Sequence, residues 1–158
     1  MAQPVLSYMR SAVVLMLLWT SGVRAEVADL TGEVWSVCGW DGFSSWHDTR
    51  LVFTKQTKDK KNAVVSGYFD WVGDAGGFGR EHFEGVVSQA GALSLQGLSM
   101  ENGSAFIITS RYEGQLTPDG MKILDGVWLD GEPGIWAAVR DGGQGTAAGF
   151  CQTADIGS

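Results

Sequence analysis

From Leu30 onward the apolar positions fall in short runs rich in β-branched and aromatic residues, broken by glycine, asparagine and proline, and no stretch keeps a 3.6-residue period. These runs predict strands over Leu30–Val37, Arg50–Lys55, Ala63–Val72, Glu81–Ser88, Ala92–Leu98, Ala105–Leu116, Met121–Leu129 and Ile135–Arg140. Turn chemistry stands between them at Lys58–Asn62, Gly73–Gly79, Gln89–Gly91, Glu101–Gly103, Thr117–Gly120 and Asp130–Gly134. Short links between successive strands favour an up-and-down meander, and closure of the sheet removes its exposed edges. The expected fold class is all-β: a single antiparallel up-and-down β-barrel of about eight strands.

Alternation assigns faces. In the seventh strand Leu124, Gly126 and Trp128 point one way and Ile123, Asp125, Val127 and Leu129 the other; in the eighth, Trp136, Ala138 and Arg140 oppose Ile135, Ala137 and Val139. In the sixth, Phe106, Ile108 and Tyr112 oppose Thr109, Arg111, Glu113 and Gln115. A glycine beside an aromatic recurs in Gly67-Tyr68-Phe69, Phe83-Glu84-Gly85, Tyr112-Glu113-Gly114 and Gly126-Val127-Trp128. Glycine in a strand lets a ring or a neighbouring backbone approach closely, so the unit reads as a packing device for a curved sheet.

The ends modify this picture. Met1–Ala25 has Arg10, an apolar run from Ala12 to Trp19 and a small-residue close at Val23-Arg24-Ala25, the layout of a secretory signal peptide. The run is shorter than the ~20 residues of a spanning helix, so no membrane span is expected. Cleavage after Ala25 would leave a barrel domain over residues 26–140 and a loose tail over 141–158, in a periplasmic or secreted protein. Cys38 and Cys151 are then expected to bridge, which in the chain-entropy model stabilises by ~4 kcal/mol and ties the tail down. Without the first 25 residues, nine basic residues face eighteen acidic ones, a net charge of −9. Such a surface repels phosphate backbones, and Lys58-Asp59-Lys60-Lys61 reads as a solvated turn, so nucleic acid is not an expected partner.

The chemistry-bearing residues concentrate in Cys38–Asp48, which holds Trp40, Phe43, Trp46, two serines, His47 and two carboxylates. Such a loop would present flat apolar faces beside polar tips over a barrel mouth, or plug the open end. Ser44 or Ser45, His47 and Asp48 are sequence neighbours, whereas a catalytic triad needs convergence in space, and no nucleophile elbow is present. His82 and Glu84 share a strand face and with His47 or Asp48 would suit zinc; the competing reading, a solvated outer face, is the one adopted, and no metal is expected. Asp70, Glu84, Glu113 and Asp125 lie on strands without an evident pair for glycoside hydrolysis; Asp125 reads as a rim or surface acid. Asp74–Gly79 lacks the lysine and the helix of a phosphate loop.

Leu30-Thr31-Gly32-Glu33-Val34-Trp35 resembles the opening strand of the calycins, the superfamily of lipocalins, fatty-acid-binding proteins and avidins. Gly114-Gln115, Gly120, Val127-Trp128-Leu129 and Trp136-Ala137-Ala138-Val139-Arg140 are similar to the last strands of avidin-type barrels. The resemblance implies that Trp35 and Arg140 pack together at the closed end, a structural role, and that Ile123, Val127, Ile135 and Val139 form an outer surface on which copies assemble. It does not favour biotin. An extra residue separates Gly32 from Trp35, the Cys38–Asp48 loop lacks the polar spacing that holds biotin's urea-like head, and Tyr68 directly follows its glycine, out of register. The expected function is a non-enzymatic barrel, without cofactor, that binds a small, partly apolar ligand. Tyr68, Trp128 and Trp136 would lie inside it, with Trp40 and Trp46 over the mouth. The alternative is an inhibitor or envelope-assembly module that docks on a protein partner through the tryptophan-rich loop.

Overall fold

Each of the eight expected strands has a counterpart in residues 26–140, the part of the chain described by a computed structural model. The strands are β1 (Val34–Trp40), β2 (Thr49–Asp59), β3 (Asn62–Val72), β4 (Phe78–Val87), β5 (Ala92–Glu101), β6 (Arg111–Leu116), β7 (Lys122–Trp128) and β8 (Gly134–Arg140). Each pairs antiparallel with its sequence neighbours, and β8 pairs with β1 from Trp35↔Arg140 to Trp40↔Ile135, so the sheet is a closed up-and-down barrel. No helix occurs among the described residues. Met1–Ala25, residues 141–158 and therefore Cys151 lie outside them. Cys38 is fully buried on β1.

Five strand expectations are corrected, among them the fourth, which begins at Phe78 rather than Glu81, and the fifth, which runs on to Glu101. The first strand starts later and runs on through Trp40, because residues 38–40 pair with β8. The second runs on to Asp59, where Asp59↔Asn62 closes a two-residue hairpin at Lys60-Lys61 with Lys60 at φ 56°. Its polar end is a largely solvated strand, which reads as a turn by composition. The sixth begins only at Arg111; residues 102–110 form a loop, leaving Phe106 and Ile108 exposed. Alternation also fails within β7, where a bulge between Ile123 and Gly126, with Asp125 at φ 52°, turns Ile123 inward together with Gly126 and Trp128. The expected assembly surface is therefore not formed as such: Ile123 is in the core and Val139 is buried, leaving Val127 beside Ile135.

Inside, aromatic side chains form a continuous column. Trp35 meets Phe53 edge-on at 5.9 Å, Phe53 meets Phe83 at 5.7 Å, Phe83 meets Phe69 at 5.3 Å, and Phe69 stacks on Trp71 at 4.8 Å. Each such pair adds ~0.5–1.5 kcal/mol beyond its buried area. Glycines make room for the close approach of rings and of neighbouring backbone inside the barrel. A Cβ on Gly126 would lie 2.3 Å from the Trp136 carbonyl oxygen and 2.7 Å from its ring, and one on Gly67 would lie 2.0 Å from the Val52 carbonyl oxygen.

Residues 26–33 seal the end that carries the 60–61, 88–91 and 117–121 turns. Leu30 is fully buried, its N–H donating to Gln56 Oε1 at 3.0 Å, and Gln56 Nε2 donates to the Ala28 carbonyl at 3.0 Å. The Arg140 guanidinium lies 5.4 Å from the centre of the buried Trp35 ring. It also donates to the Asp29 carbonyl. Its Nε is 2.7 Å from Glu33 but is not aimed at it, so that contact is Coulombic.

Gly126→Ala is expected to cost ~1–3 kcal/mol of stability in urea unfolding, because the added methyl meets backbone that cannot yield. A cost within ~0.5 kcal/mol, the usual range for surface changes, would show that the ring does not depend on this gap.

Candidate functional site

The opposite end is built from residues 41–48, 73–77, 102–110 and 129–133. These loops enclose a cavity of about 760 Å³ lined by Trp46, Trp71, Tyr112 and Trp128 below and by Phe43 and Ile107 nearer the mouth. A small-molecule site typically occupies ~300–1,000 Å³. Beneath the cavity the aromatic column fills the barrel.

Local hydrogen bonds fix the loops. Asp41 Oδ1 accepts from the Phe43 and Ser44 N–H groups at 2.8 and 2.6 Å, while Asp41 Oδ2 accepts from the Trp46 indole at 3.1 Å. Asp74 then joins two loops, accepting from the Ser45 N–H at 2.9 Å and the Ser44 hydroxyl at 3.0 Å. These bonds, the Ser45 N–H first, hold the Asp74 carboxyl below its ordinary pKa. Gly73 and Gly77 leave the space that the Trp46 ring occupies. Across the mouth, the Arg111 fork grips Asp130 with Nε and NH2 at 3.1 and 3.2 Å, keeping that carboxyl ionised below its ordinary pKa. The Asp130 N–H donates to Ser110 Oγ at 3.0 Å.

Glu81 lies under the cavity floor with no exposure to solvent. Its Oε2 accepts from the Trp71 indole at 2.8 Å and the Tyr112 hydroxyl at 2.5 Å; its Oε1 accepts from the Ser110 N–H at 2.8 Å. A buried carboxyl is costly without such partners. Burial pushes Glu81 above its ordinary 4.5, against the opposing pull of Tyr112, Ser110 and Trp71. It also pushes Tyr112 well above 10, helped by the negative charge of Glu81. Gly97 permits the arrangement, since a Cβ there would lie 1.9 Å from Glu81 Oε1.

The expected site residues separate into three groups. Trp46 and Trp128 line the cavity. Trp136 is inside but deeper, packed over Gly126 and edge-on to Phe69 at 5.9 Å, so it is core rather than wall. Tyr68 and Trp40 are misplaced in the sequence reading. Tyr68 alternates with the inward Gly67 and Phe69 and stands on the outer face, with the Arg80 guanidinium 4.0 Å from its ring centre. Trp40 continues β1 beyond the inward Gly39 and is not a lining residue. His47 and Asp48 are exposed, and Ser44 bonds to Asp74 rather than to His47. His82 meets Glu101 at 3.3 Å on the outer face, and among the described residues no cluster is placed to hold a metal.

Trp71, Glu81 and Ser110 were missed. The legible signal was alternation in Glu81-His82-Phe83-Glu84-Gly85, which puts Glu81 on the face of Phe83 and Gly85. No family model, curated protein or solved structure matches the chain.

Glu81→Ala leaves three buried donors without an acceptor and is expected to cost about 3 kcal/mol. Because the folded state raises the Glu81 pKa, its contribution to stability is full below about 4.5 and is lost as pH rises through the raised value. The wild-type stability minus that of Glu81→Gln should therefore fall as pH increases above 4.5 in paired urea titrations. A difference that is flat or rises with pH would contradict the assignment.

Proposed function

We propose that the protein is a non-enzymatic barrel that binds a small, partly apolar ligand in the open-end cavity. The observation that carries this reading is a cavity of about 760 Å³ walled by three tryptophans and a tyrosine, each held by a hydrogen bond to protein rather than free to collapse inward. The wall is therefore preorganised, which reduces the ordering cost of binding. The Trp35 and Arg140 contact supports kinship with the calycins in the same reading. Export and the Cys38–Cys151 bridge belong to the proposal through the sequence pattern of Met1–Ala25 and the even cysteine pair.

A second reading draws on Phe43, Phe106 and Ile108, which are 80%, 79% and 58% exposed beside the cavity. An apolar rim of this kind also fits a module that docks on another protein through its open end.

Native mass spectrometry of the purified protein, with and without added small molecules, tests the first reading. A bound small molecule is expected, and Ile107→Trp, which fills the cavity from a loop, should remove it while the melting temperature stays within a few degrees. A bare wild type in every run would count against it. Retained ligand with loss of a protein partner in a Phe43→Ser, Phe106→Ser double variant would establish docking as an additional role.

A further inference from the structure

Building on the cavity as a small-molecule site, we infer that its ligand is an organic cation, a substituted ammonium whose alkyl groups sit in an aromatic box. The box is set by ring geometry. Trp46 stands at 81° to Trp71 with centroids 5.5 Å apart, and Trp128 at 72° with centroids 5.9 Å apart, so two indoles are walls nearly perpendicular to a third. Tyr112 stacks near-parallel to Trp71, 24° from its plane with centroids 5.8 Å apart. Ring faces attract cations through their negative quadrupole, most strongly when water is excluded.

The polar groups select the same charge. Every side-chain donor that lines the cavity is already used within the protein. The Trp46 indole donates to Asp41, Trp71 and Tyr112 donate to Glu81, and Trp128 donates to the Glu132 carbonyl. The Ser44 hydroxyl donates to Asp74, and the Ser110 hydroxyl lies within reach of the Arg111 and Asp130 carbonyls. An anion, or a ligand that presents several carbonyl oxygens, would therefore find no uncommitted side-chain donor here. The charged residues of the lining are all acids, namely Asp41, Asp130 and Glu132. Arg111 neutralises Asp130 from outside the lining, and among the described residues no basic side chain pairs with Asp41 or Glu132. The strongly acidic chain adds long-range attraction for a cation.

Three molecules of nearly the same shape separate charge from size: choline, 3,3-dimethylbutan-1-ol and 3,3-dimethylbutanoate, each titrated into the purified protein and followed by calorimetry and ligand-observed NMR. Choline is expected to bind at least ~10-fold more tightly than the alcohol, and more weakly as salt is added. Glu132→Gln, an exposed side chain, should weaken choline ~3-fold and leave the alcohol unchanged. Equal binding of choline and the alcohol, or tightest binding of the carboxylate, overturns the cation inference and leaves the cavity as an apolar site. Silence from all three overturns it as well. If the protein nevertheless carries a bound small molecule in native mass spectrometry, only the cation inference falls; if it is bare, the cavity reading falls too.

Discussion

A carboxyl group sealed from water is expensive, and most of the open end is arranged around meeting the needs of Glu81. Trp71 and Tyr112 must turn their polar tips down toward it, which leaves their rings as the cavity floor. The Ser110 N–H must also reach it, and that ends a strand. The Gly97 N–H still donates to the Ser110 carbonyl at 2.7 Å, but the Ser110 N–H is taken by Glu81, so β6 starts at Arg111 and the preceding residues are released as a loop over the mouth. One buried side chain thus fixes the floor and the border of the cavity. The position of Gly97 follows from the same requirement, since any Cβ there would occupy the place of the carboxylate.

Three of the tryptophans are matched with glycines in the same way. Trp136 lies over Gly126, Trp128 over Gly39 and Gly134, and Trp46 over Gly73 and Gly77. A sheet curved tightly enough to close with eight strands has little interior width, so a large ring fits where the opposing strand gives up its side chain. The two ends use this economy differently. At the sealed end, Leu30, Trp35 and Arg140 fill the space. At the open end the rings are held in place by hydrogen bonds to Asp41, Glu81 and Glu132, and the cavity they line stays accessible.

The fold was legible because its signals are local. Short alternating runs, turn residues and the glycine-aromatic units depend on neighbours in sequence, and they predicted the eight-stranded closed meander. The failures trace to non-local causes. The bulge at Leu124-Asp125 resets alternation in β7, and only the pairing with β6 and β8 reveals it. The expected strand over residues 105–110 has ordinary strand composition, yet its pairing is withdrawn by a carboxyl group 29 positions away. Tyr68, expected inside, stands outside because its neighbours Gly67 and Phe69 carry the inward face. Glu81 was overlooked beside His82 because a lone acid gives no sign in sequence that three donors converge on it.

The most direct test of the account is a crystal structure of the protein purified without added ligand. Ordered non-protein density is expected against the faces of Trp46, Trp71 and Trp128, above a Glu81 that still bonds to Trp71, Tyr112 and Ser110. A mouth closed by Phe106, Ile107 and Ile108 folded in between those rings, with no space left for a ligand, would contradict it.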